Sequence, residues 1–228
     1  MKTIIHIGQH KTGTTSIQKF LLDNREQLIE DGLYVPDSLM GYKNPSHFIL
    51  NVYALNEYRY SSMKERLLRE KPESFFQNLE SNLKADIEKH YQEAKKQKCR
   101  EVIWSNEGLY LLNSVEEYRR LFRLFSEHSS SIIGICCYRD VESYRESYRQ
   151  QLLRQGFSLT MDRSSYRYLE KDSWLCDYDR KSSLLEEVFD ETITFKYNKE
   201  DNVKQFIKEI HHLKSYTNST RENITPKS

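Results

Sequence analysis

Thr3-Ile4-Ile5-His6-Ile7-Gly8-Gln9-His10-Lys11-Thr12-Gly13-Thr14-Thr15-Ser16-Ile17 is the stretch on which the fold turns. Thr3–Ile7 is β-branched and nearly continuously apolar, the pattern of a strand buried on both faces of a parallel sheet. A helical period then runs over Thr14–Asp31, with Ile17, Phe20, Leu21 and Leu28 on one side and Gly32 as its C-cap. Between them lies a short polar loop bracketed by Gly8 and Gly13, residues that permit close approach and unusual backbone angles. A strand feeding such a loop and a helix N-terminus makes an anion site, because free N–H groups converge there and the helix dipole adds partial positive charge. Thr14, Thr15 and Ser16 add hydroxyl donors, and Lys11 adds a mobile cation. No Asp or Glu occurs before Asp23, so Lys2, Lys11 and Lys19 meet no local acidic competitor.

Outward from this unit, four more β-type runs are expected at Leu33–Val35, Glu101–Ser105, Ile132–Tyr138 and Thr192–Tyr197. Helical patterns separate them. Pro72 opens a long charged helix to Gln97, Ser114 and Glu117 form a capping box, and further helices cover Tyr178–Phe189 and Asp201–Leu213. Strands alternating with helices predict an α/β protein: one domain over residues 1–228, with a central, mainly parallel five-stranded sheet flanked by helices. Residues 37–71 read as an irregular excursion over the sheet edge or the site, and 214–228 as a polar tail.

Lys and Arg number 35 against 34 Asp and Glu, so no general positive coat exists for nucleic acid or membrane surfaces. No run approaches the roughly 18 apolar residues of a transmembrane helix, and the N-terminus lacks the apolar core of a secretory signal. Cys99, Cys136, Cys137 and Cys176 show neither zinc-ligand spacing nor a disulfide framework. Neighbours in a strand point to opposite faces, so Cys136-Cys137 reads as core and not as a redox pair. A reducing, cytoplasmic setting is expected. Without a secretory signal, the sequons at Asn218 and Asn223 read as chance.

The spacing Gly8-x4-Gly13 is that of a nucleotide-triphosphatase P-loop, but Gly13 is followed by Thr14-Thr15 instead of Lys-Ser/Thr, and the lysine sits two residues before Gly13. His-Ile-Gly-Gln-His-Lys-Thr-Gly-Thr-Thr-Ser-Ile-Gln resembles instead the phosphosulfate-binding loop of sulfotransferases that use 3′-phosphoadenosine 5′-phosphosulfate (PAPS), especially their bacterial branch. The resemblance implies a P-loop-like sulfotransferase fold. It makes Lys11 the cation that assists departure of the nucleotide and Thr12, Gly13, Thr14, Thr15 and Ser16 the phosphate cradle. His10, beside Lys11, reads either as a further phosphosulfate contact or as a loop-surface residue. It further implies a 3′-phosphate site built from an arginine after a buried strand and a serine eight residues on. Arg139 follows Ile132–Tyr138, and Ser147 lies eight residues later, close to an integral number of helical turns. Arg145, Arg149 and Arg154 pair better with Glu142 and Glu146 on a solvated helix. The late Gly-x-x-Gly-x-x-Lys segment of cytosolic eukaryotic members is missing, since no glycine follows Gly156. Adenine recognition then falls to other groups, for which Lys214–Arg221 is one candidate stretch.

Transfer to a hydroxyl needs a general base. Glu107, in Trp-Ser-Asn-Glu-Gly-Leu after the third strand, resembles a Ser-x-Glu-Gly-Leu segment of bacterial relatives; its alternative reading is a loop carboxylate or helix cap. His47 is the second candidate, against a packed or exposed loop histidine. The family needs no metal, and His211-His212 is poorly disposed to chelate one. The expected activity is therefore transfer of a sulfuryl group from PAPS to a hydroxyl acceptor, a carbohydrate or glycolipid by resemblance to the bacterial branch. The competing readings are an ATP- or GTP-dependent phosphotransferase with a variant P-loop, and a nucleotide-binding module without catalysis.

Overall fold

The computed structural model describes residues 1–43 and 46–210. Strand β1 (Lys2–Gly8) sits at the centre of a sheet because its isoleucines are covered on both faces: Ile5 and Ile7 belong to one apolar core, Ile4 to the other. β5 (Glu101–Ser105) pairs with β1 in parallel on one side, with Ile4 opposite Ile103. β6 (Ser131–Tyr138) pairs in parallel on the other side, with Ile4 opposite Ile133. β2 (Leu33–Tyr34) and β7 (Glu191–Lys196) extend the sheet at either end, giving the order β2-β5-β1-β6-β7 with every pairing parallel. The five expected strands are all present, with ends shifted by a residue. Chain progression leaves β1 toward β5 and then returns to β6 on its opposite flank. In such sheets ligands occupy the crevice outside the carboxyl ends of the strands where the order reverses.

Helices α1 (Thr14–Asp23) and α10 (Asn202–Glu209) cover one face through Ile17, Phe20, Phe206 and Ile207. The other face carries α6 (Leu79–Lys96), α7 (Val115–Ser126), α8 (Val141–Arg154) and α9 (Tyr178–Val188). Cys136 lies in this second core and Cys137 in the first, as strand alternation requires, and all four cysteines are free.

Two expected helices are each broken once. Thr14–Asp31 divides at Asn24 into α1 and α2 (Arg25–Glu30), and Pro72–Gln97 divides at Asn78 into α5 (Glu73–Gln77) and α6. Both breaks share a feature: Asn24 Nδ2 donates to Phe20 O and Asn78 Nδ2 to Ser74 O, four residues back, so each carbonyl takes the asparagine side chain as well as its backbone N–H where the helix turns. The capping box is half realised. Ser114 Oγ accepts from Glu117 N, but the buried Glu117 carboxylate reaches Asn113 N, Asn56 N and the Arg59 guanidinium instead.

Residues 37–71 are more regular than expected. They hold an antiparallel hairpin, β3 (Ser38–Leu39) with β4 (Tyr42–Lys43), then α3 (Ile49–Ala54) and α4 (Ser62–Glu70). Phe48, Ile49, Leu50 and Val52 are buried in the main core, which is why the segment folds down beside the sheet. The end of the helix expected over Asp201–Leu213, His211-His212, the stretch Lys214–Arg221, the sequons and the 214–228 tail lie outside the described residues. No helix among the described residues is long and apolar enough to cross a membrane.

Candidate active site

The three central strands each end in a residue singled out by the sequence. β1 opens into the loop Gln9–Gly13, β5 into Asn106-Glu107 and β6 into Arg139. The loop owes its shape to two glycines. A Cβ on Gly8 would stand 2.1 Å from Thr14 Cγ2, so only glycine lets the start of α1 close onto the strand. Gly13 has φ of 70°, and a Cβ there would meet Asn202 Nδ2 at 2.8 Å. Lys11 also adopts a left-handed conformation, φ 67°, without a glycine's freedom. Strain of that kind persists only where surroundings hold it, and here Arg139 Nη1 grips Lys11 O at 3.0 Å.

Gln9 is the clamp that sequence reading missed. It is fully buried, and its Oε1 accepts from Arg139 N at 2.8 Å. Its Nε2 donates to the hydroxyls of Tyr178 at 3.0 Å and Tyr110 at 3.3 Å. Tyr178 Oη in turn donates to Arg139 O at 2.7 Å, and the Arg139 guanidinium stands 5.4 Å from the Tyr197 ring centre. The loop and the end of β6 therefore form one hydrogen-bonded unit. The available signal was slight: an uncharged polar residue directly after a buried strand.

The hydroxyls of the cradle divide. Thr12 Oγ1 donates to Gln9 O at 2.6 Å and closes the loop. Thr14 Oγ1 donates to Glu107 Oε2 at 2.6 Å. Thr15 and Ser16 remain exposed at the first turn of α1, whose N-cap Gly13 supplies no side chain to its N–H groups. Ser147 is half-buried on α8, one turn before Gln151, whose side chain lines a cavity beside Glu107.

That cavity, about 330 Å³, is walled by the start of α1, by residues 46–63 and by the Asn106–Leu111 turn. Glu107 begins a short 3-10 helix, Glu107–Leu111, lines this cavity, and accepts on Oε2 from Thr14 Oγ1. His10 lines the same cavity, its ring centre 4.8 Å from that of Tyr148. Burial lowers the His10 pKa, with Glu107 opposing and Lys11 reinforcing the shift, which favours the neutral ring.

His47 stands apart. Its Nε2 donates to Pro36 O at 3.1 Å and its Nδ1 accepts from Ser105 N at 3.0 Å, with the ring against Trp104. Burial brings its pKa down to about 4. Both nitrogens are committed to backbone, leaving no lone pair to receive an acceptor's proton. His47 fastens the 46–55 segment to β5, which is the packed-histidine reading.

No protein-family model and no curated protein matches the sequence. Among solved structures, the crystal structure of a sulfotransferase from Alicyclobacillus acidocaldarius aligns over 99% of this chain and 87% of its own, with a TM-score of 0.55 and 12% identity. At that identity the likeness is one of fold: the five-stranded parallel sheet with flanking helices is similar to that of a sulfotransferase.

Proposed function

We propose that this chain is a sulfotransferase that moves a sulfuryl group from PAPS to a hydroxyl acceptor of carbohydrate type. The observation that carries the reading is the Thr14 Oγ1–Glu107 Oε2 hydrogen bond of 2.6 Å. It joins a candidate base to the first residue of the helix that heads the anion loop, so acceptor activation and charge stabilisation share one crevice.

The residues fit such a donor. A loop made close by Gly8 and Gly13 leaves helix N–H groups for a phosphosulfate, and Thr15 and Ser16 add exposed hydroxyls. Lys11 is the cation to offset charge on the departing nucleotide oxygen, and Arg139 with Ser147 takes the 3′-phosphate. PAPS supplies an activated sulfuryl group and a stable leaving group. Glu107 takes the acceptor hydroxyl's proton as the oxygen attacks, and Thr14 keeps that carboxylate in place. His47 has no part in the chemistry.

The test is a transfer assay with PAPS and simple sugar acceptors, with and without EDTA. The reading expects sulfated product in both conditions. A Mg²⁺ requirement with ATP as the preferred donor points to a phosphotransferase. Tight nucleotide binding without turnover on any hydroxyl acceptor points to a binding module.

A further inference from the structure

Three residues on the wall of the cavity beside Glu107 each keep a buried polar atom with no hydrogen-bond partner: His10 Nδ1, Gln18 Nε2 and Asn106 Oδ1. Their exposures are 7%, 5% and 3%. Buried polar atoms are nearly always satisfied in folded proteins, so three orphans on residues of one cavity wall mark side chains that a small rotation would turn to meet a ligand filling it. Their neighbours do not share the deficit. Asn51 on the same wall donates to Gly108 O at 2.7 Å and accepts from Ser61 Oγ at 2.7 Å.

The orphan set mixes roles. The Gln18 amide donates, the Asn106 carbonyl accepts, and a neutral imidazole nitrogen does either. Hydroxyl groups answer both needs because each donates and accepts. A carboxylate or sulfate only accepts, and it also faces Glu107, the sole carboxylate on the wall, where no lysine or arginine stands among the described residues. At about 330 Å³ the cavity lies at the small end of ligand sites, which span roughly 300–1,000 Å³. Phe48, Met63 and Leu111 add an apolar side for C–H groups.

We infer that this cavity binds one uncharged, polyhydroxylated ring, a neutral monosaccharide unit, with His10, Gln18 and Asn106 reading its hydroxyls and Glu107 turning away anionic sugars. Its standing as the acceptor rests on the sulfuryl-transfer reading; its neutrality and size do not. His10 then belongs to the acceptor side of the crevice instead of the nucleotide side.

The test is an NMR titration of the full chain, loaded with adenosine 3′,5′-bisphosphate, using methyl glucopyranoside and the corresponding methyl uronide. The neutral glycoside is expected to bind saturably and about ten-fold or more tighter than the uronide. Gln18→Met, which keeps bulk but removes the amide, should weaken the neutral glycoside by about five-fold or more. The same variant should bind adenosine 3′,5′-bisphosphate like the parent chain, which reports that it is folded. Equal binding of the uronide, indifference to Gln18→Met, or no glycoside binding by nucleotide-loaded protein overturns the inference. Selective binding of the neutral glycoside by a chain that ignores adenosine 3′,5′-bisphosphate upholds it and removes the sulfotransferase reading.

Discussion

On the β1–α1 side of the crevice, the surface is built from backbone: Gly8 and Gly13 allow a close loop, Lys11 is held in a left-handed turn by Arg139, and the first turn of α1 has no side-chain cap. On the facing side, residues 46–63 and the Asn106–Leu111 turn present neutral side chains around Glu107. The first half is suited to an anion whatever its attached group, because dipoles and a lysine read charge. The second is suited to a particular arrangement of hydroxyls, because amides read direction. Thr14 bridges the two: its methyl group packs on Gly8 and its hydroxyl holds Glu107.

The largest separation of the halves is expected from Glu107→Gln. The amide oxygen can still accept from Thr14, so the loop keeps its shape while the base is lost. kcat should fall by about 10²–10⁴, with adenosine 3′,5′-bisphosphate affinity unchanged by calorimetry. Retained turnover removes Glu107 from the chemistry.

Acid should loosen the scaffold behind both halves. Burial lowers the pKa of His6 to about 3 and of His47 to about 4, from 6.5. A group with a depressed folded-state pKa contributes stability that is present above pH 6.5 and lost as pH falls toward the folded value, because the unfolded chain takes up the proton first. Between pH 7 and 5 each histidine should remove about 2 kcal/mol from the unfolding free energy. Denaturant titrations at the two pH values check the sum, and His47→Gln should abolish its own share of the drop. An equally steep drop in that variant contradicts the assignment of His47 to the scaffold.

Gly8→Ala tests the loop alone. The new methyl collides with Thr14 Cγ2, which should cost about 1–3 kcal/mol in stability and weaken nucleotide binding. Thr14→Ser removes that methyl and keeps the hydroxyl for Glu107, so the double variant should recover most of the loss. No recovery would place the strain elsewhere. The smallest effect is expected at Thr15→Val, on an exposed residue: unchanged stability, and nucleotide affinity lower by only a few-fold, about the value of one hydrogen bond.

The same contrast explains what could be read in advance. β1, the loop and the Arg139–Ser147 spacing are legible because apolar runs, glycines and helical periodicity are local in sequence. Glu107 was legible through its place after a buried strand, but not its bond to Thr14, 93 residues away. The breaks at Asn24 and Asn78 escaped because an apolar stripe continues across them while the asparagine side chain acts only on a backbone carbonyl four residues back. Residues 37–71 looked irregular because their helices are short and their register comes from burial of Phe48–Val52 against the sheet. His47 carried the same letter as a catalytic histidine, and its commitment to Pro36 and Ser105 is a tertiary fact. Gln18 and Asn106 carried no signal, since neutral amides are common on any surface.

The central claim is that the anion half recognises a 3′-phosphorylated adenosine nucleotide. Calorimetry with adenosine 3′,5′-bisphosphate and adenosine 5′-phosphate tests it most directly, on the parent chain and on Lys11→Ala and Arg139→Ala. The account predicts that the 3′-phosphate strengthens binding by about ten-fold or more, that Arg139→Ala cancels this advantage, and that Lys11→Ala weakens both nucleotides alike. Equal affinity of the parent chain for the two nucleotides would contradict it.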